Sequence, residues 1–112
     1  MSNFERLISA FSVSVITNDL GGDINGWYTK VKDNDEIMYW LTAKSYDKII
    51  LVRYRFFTGD KRGTLSIYKI EPSKFNDCPY DQLVQKEPYL FELDCTIKVA
   101  CDFISKYLVA LV

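Results

Sequence analysis

The sequence predicts an α+β fold: a curved antiparallel sheet of about four or five strands, arranged as a meander, with an N-terminal helix and a C-terminal helix packed on it. Three observations lead there. Apolar residues recur at helical spacing near both ends of the chain; from Trp27 to Ile70 the period changes to two; and the connections within that middle stretch are too short for a crossover helix. With 112 residues, 48% of them hydrophobic, the chain is expected to form one domain over 1–112 and to bury a core without disulfide or metal staples.

Ser2 followed by Glu5 has the form of a capping box, and Phe4, Leu7, Ile8, Phe11, Val15 and Ile16 then follow at helical spacing. The segment 11–17 also alternates, with Phe11, Val13 and Val15 between serines, so its second half reads equally as helix or strand. Asn18 to Gly26 is rich in turn formers and reads as a loop, with strands expected at about 27–32, 37–42, 48–57 and 64–70. The third of these, beginning Lys48-Ile49-Ile50-Leu51-Val52, is apolar on both faces and belongs in the middle of the sheet, with Arg53 and Arg55 sharing a face near its end. The stretch 71–88 holds three prolines and room for one helical turn near 80–85, and is read as an ordered excursion. Tyr89 to Leu93 makes a fifth strand. Asp94 is then placed to cap a closing helix whose stripe is Ile97, Ala100, Cys101, Ile104, Leu108 and Leu111.

The chain contains no histidine, which removes Ser-His and Cys-His pairs, histidine-ligated zinc and the commonest general base. No catalytic residue, cofactor or metal is expected. Gly21-x-Asp23-x-Asn25-Gly26 resembles part of a calcium loop, but its twelfth position is Lys32 where a bidentate glutamate is needed. Gly59-Asp60-Lys61-Arg62-Gly63-Thr64 lacks the order of a phosphate-binding loop and lies between two strands. Cys78, Cys95 and Cys101 are odd in number and fit no metal or redox spacing, so all three are expected as free thiols in a reducing compartment. Met1 to Glu5 lacks the basic start of a secretory leader, and no apolar run nears the roughly 20 residues that cross a membrane. The expected location is the cytoplasm, with no membrane partner.

A net charge of −1 provides no broad basic field for a polyanion, so nucleic acid is not the expected partner. The charges are segregated, however: residues 19–36 carry five acids against two lysines, 77–94 carry five against one, and 44–74 hold eight basic side chains against three acids. Aromatics cluster within or beside the acidic stretches. Tyrosine and tryptophan fill partner pockets at interfaces, and neighbouring carboxylates steer a basic partner onto them. The candidate binding set is therefore Trp27, Asp33, Asp35, Glu36, Tyr39, Trp40, Tyr46, Asp77, Tyr80 and Asp81.

In length, layout and its acidic, aromatic segments Asp33-Asn34-Asp35-Glu36-Ile37-Met38-Tyr39-Trp40 and Asp77-Cys78-Pro79-Tyr80-Asp81, the chain resembles bacterial immunity proteins of the contact-dependent growth inhibition type. The resemblance implies a non-catalytic protein that forms a one-to-one complex with a cognate toxin domain, a nuclease acting on RNA or DNA, and blocks its basic substrate site. Two alternatives remain open on sequence: a non-catalytic adaptor or regulatory subunit of a cytoplasmic complex, and a single-stranded nucleic-acid-binding domain using Arg53, Arg55, Lys61, Arg62, Lys69 and Lys74.

Overall fold

The computed structural model describes residues 1–74 and 79–112. The chain folds as α1 (Asn3–Thr17), β1 (Asp23–Val31), β2 (Glu36–Lys44), β3 (Ile49–Phe57), β4 (Arg62–Ile70), a short 3-10 turn (Pro72–Lys74), α2 (Tyr80–Lys86), β5 (Phe91–Thr96) and α3 (Ile97–Leu111). The five strands are all antiparallel and lie in sequence order, β1-β2-β3-β4-β5, so the sheet is an open meander with β3 at its centre. That central place follows from β3's composition, since only a strand covered on both sides gains from Ile49, Ile50, Leu51 and Val52 in succession.

Both long helices cover one face of the sheet. α1 starts with the capping box, Ser2 Oγ accepting from Glu5 N at 3.1 Å and Glu5 Oε1 accepting from Ser2 N at 3.3 Å. The ambiguous segment 11–17 is helix: Phe11, Ser14 and Val15 continue the buried stripe begun by Leu7 at three- and four-residue spacing, while Val13, which a strand would place on the same face as Phe11 and Val15, is exposed. α3 buries Ala100, Ile104 and Leu108 beside it, with Ile97, Cys101 and Leu111 partly covered, and exposes Lys98, Asp102, Ser105 and Lys106. Facing these helices are Leu41, Ala43, Ile50, Val52, Leu65 and Ile67, all fully buried.

The largest departures from the sequence reading are at the start of β1 and at the junction of β5 with α3, where the strand runs Phe91–Thr96 and not Tyr89 to Leu93. β1 begins at Asp23 within the stretch read as a loop, because Asp23 to Gly26 pair with Lys44 to Leu41 and the register outweighs local turn preference. Gly26 suits that place, since a Cβ there would run into the Ile8 side chain of α1. The cap of α3 is Thr96, whose Oγ1 accepts from Val99 N at 3.3 Å, whereas Asp94 is still in β5 opposite Thr64. The strand pairing extends to Thr96 opposite Arg62, so the helix cannot begin sooner.

α2 lies on the other face of the sheet. Leu83, 2% exposed, joins Trp40, Ile49, Leu51, Tyr68 and Ile70 in a second, smaller core, with Tyr80, Val84, Trp27 and Met38 packed at its margin. Pro79 O accepts from Gln82 N and Leu83 N, and the excursion is tied by Lys74 Nζ to Glu87 Oε2 at 3.4 Å. Among the described residues no helix is long and apolar enough to cross a membrane.

Candidate docking surface

The face under α2 is only half covered, and the sheet register decides what is left open. One cross-strand row reads Trp27, Trp40, Arg53, Ser66, Glu92; the next reads Thr29, Met38, Arg55, Thr64, Asp94. At the β1–β2 side of these rows is an open cleft of about 530 Å³ whose walls include Trp27, Met38, Trp40, Tyr80 and Asp81. The indoles of Trp27 and Trp40 are stacked, 6.2 Å between centroids and 10° between planes, and Tyr80 leans on Trp27 at 5.4 Å. Trp40 is held twice over: its Nε1 donates to Thr29 Oγ1 at 3.1 Å, and the Arg53 guanidinium lies over its ring at 5.9 Å.

Towards the β1–β2 turn the cleft passes into a second depression that shares Lys30 and Val31 with it and adds Asp35, Glu36 and Thr58. The turn is firmly built. Asp33 and Asp35 adopt φ of 79° and 56°, a conformation that aspartate tolerates better than most residues. Asn34 Oδ1 accepts from Glu36 N at 3.1 Å, and Asp35 O accepts from both Thr58 N (2.8 Å) and Thr58 Oγ1 (3.0 Å). The carboxylates of Asp35 and Glu36 on one side and Asp81 on the other thus flank an aromatic floor, with Lys30 as a cation of the lining.

The structure divides the ten residues singled out from the sequence. Trp27, Trp40, Tyr80 and Asp81 come together in the cleft, and Asp35 and Glu36 adjoin it, with Asp33 exposed on the same turn. Trp40 is only 3% exposed, so it forms the floor and is not an anchor that projects into a partner. Tyr39 points to the opposite face, where its ring packs on Phe4 and Phe56 at 5.3 and 5.1 Å; burial first, and the Tyr28 phenol second, push its pKa above the usual tyrosine value. Tyr46 is wholly exposed on the β2–β3 turn. That turn is at the other end of nine-residue strands, roughly 26 Å from the Asp33–Glu36 turn at about 3.3 Å per residue, so the two do not share a pocket. Asp77, like Cys78, lies outside the described residues.

Sequence reasoning passed over Met38, Thr29 and the pairing of Arg53 with Trp40. Period-two alternation puts Met38 and Trp40 on one face of β2, but only the register of β3 brings Arg53 against Trp40. Cys95 and Cys101 are free thiols whose pKa values burial raises, the opposite of what activates a nucleophile. Among the described residues no three His, Cys, Asp or Glu side chains gather in a way that could hold a metal ion. No family model, curated protein or solved structure matches this chain.

Proposed function

We propose that the chain is an immunity protein: a non-catalytic binder that neutralises a cognate bacterial toxin domain, a nuclease, by docking against its basic substrate groove. The observation that carries the reading is the acid-flanked aromatic cleft left open on a sheet face that α2 otherwise covers. Partly exposed, stacked aromatics such as Trp27 and Tyr80 offer contact area at little entropic cost. Asp35, Glu36 and Asp81 line the cleft and its continuation, and in the proposed complex such carboxylates would meet lysine and arginine in place of the substrate's phosphates. A cleft that only binds needs no proton donor or nucleophile, which accords with a chain lacking histidine.

The test is a protection assay. The large gene adjacent to this one is identified, its C-terminal domain is expressed in cells with and without this chain, and the two proteins are co-purified. Rescue of growth together with a one-to-one complex supports the proposal. Full toxicity in the presence of a folded, expressed copy of the chain ends it.

A further inference from the structure

Arg53 is the most unusual side chain of the open sheet face. Its guanidinium rests on the Trp40 indole, and its Nε is buried with no acceptor among the described residues. Buried polar atoms are normally paired, and a charged donor left without an acceptor disfavours the free protein. Two positions along β3 on the same face, Arg55 brings a second, exposed guanidinium. The carboxylates on the two rows are directed elsewhere. Glu92 Oε2 accepts from Ser66 Oγ at 2.9 Å, and Asp94 pairs with Arg62 at 3.8 Å. No ion pair is found for Arg53 or Arg55 among the described residues.

We infer that Arg53, preorganised on Trp40 and backed by Arg55, is a docking site for a carboxylate, and that in the complex it takes an aspartate or glutamate side chain of the partner protein. The guanidinium fork matches a carboxylate in plane and spacing, and its stacking on the indole has already reduced the motion that binding would otherwise freeze. Glu92, one residue beyond Ser66 in the same row, favours a monoanion over a phosphoryl dianion. The Arg53 and Arg55 charges also reach the nearly buried Tyr68 phenol and oppose the rise in its pKa that burial causes, which locates their field on this face. Because Trp40 is both the platform of Arg53 and the floor of the cleft, a partner seated in the cleft would bring its acidic side chain within reach. The inference rests on the binding reading above for its source of carboxylate.

The experiment uses the full chain alone, labelled with 15N, and follows the Arg53 Nε–H resonance during titration with sodium acetate, sodium chloride or inorganic phosphate at constant ionic strength. A saturable shift with acetate, none with chloride and a weaker response to phosphate is expected. A linear response equal to that of chloride, or tighter saturation by phosphate, overturns the proposal. Arg53→Met keeps an unbranched chain over Trp40 and removes the donors, so its Tm should equal or exceed that of the wild type, with the acetate response of the Ser66 and Arg55 amides abolished. A Tm lowered by several degrees would make the guanidinium a structural group and overturn the assignment. The titration needs no partner: failure of the protection assay would end the immunity reading and leave the carboxylate site, whereas absence of saturable acetate binding would end the site and leave that reading.

Discussion

Replacing Tyr54 by Phe deletes one oxygen from the centre of the fold and tests how the sheet is tied to its last helix. Tyr54 is 3% exposed in β3, and its Oη donates to Cys95 O at 2.8 Å. The bond spans β4, the intervening strand, and the ring crosses it over Gly63, where a Cβ would lie 2.8 Å from Tyr54 Cζ. Cys95 immediately precedes Thr96, the cap of α3. Tyr54→Phe keeps the ring and leaves a buried carbonyl without this donor, at a cost of about 1–2 kcal/mol. For a domain of this size that is a fall in Tm on the order of 5–10 °C.

The same bond has a pH signature. Burial chiefly, and then the Cys95 thiol, push the Tyr54 pKa up to about 12, while in the unfolded chain it stays near 10.0. Below pH 10 both states hold the proton and the full contribution is present. Above it the unfolded chain releases the proton while the fold retains it, so stability is lost as pH rises from 10 towards about 12. Tyr54→Phe lacks this loss, and the raised phenols of Tyr39 and Tyr68 act alike in both proteins. Urea unfolding followed by circular dichroism at neutral pH and in steps above pH 10 should show the wild-type advantage narrowing with pH. An unchanged midpoint at neutral pH, or an advantage constant throughout, would refute the reasoning.

Gly63→Ala places a Cβ 2.5 Å from Arg55 O and 2.9 Å from Phe56 Cβ, so β3 and β4 must part and the variant should lose about 2 kcal/mol or more in urea unfolding. Leu108→Asp puts an unpaired carboxylate where the side chain is 0% exposed between α3 and the sheet, and a thermal melt should show a loss of about 4 kcal/mol, a large part of an ordinary domain's stability. In the complex proposed above, Trp27→Ala should raise the dissociation rate at a cost of about 2 kcal/mol, roughly thirtyfold in Kd by surface plasmon resonance, with cooperative thermal unfolding retained. Neutralising the steering turn as Asp33→Asn, Asp35→Asn and Glu36→Gln, substitutions that keep residues suited to φ of 79° and 56°, should slow association and flatten its salt dependence; an unchanged association rate would remove these carboxylates from the interface.

Local pattern was enough for what depends on near neighbours in the chain. The capping box of α1, the stripe of α3 and the central place of β3 were legible because each is set by residues within one or two turns or one strand. Local pattern failed where a distant partner overrode it: Asp23 to Gly26 look like a loop and become strand because β2 pairs with them, and Asp94 looks like a cap but is held in β5 by β4.

The candidate site divides along the same line. Its ingredients, tryptophans and tyrosines beside acids, are a matter of composition, and the sequence by itself determined them together with the absence of any histidine chemistry. Which of them share a surface was decided by the register. A strand's side chains alternate in direction, so Tyr39 and Trp40, adjacent in sequence, serve opposite faces, while Trp27, Trp40 and Arg53, separated by 13 residues at each step of the register, form one row. Whether that row is open depended on α2, which lies over one half of the face and leaves the other to solvent, a long-range packing that no local periodicity encodes.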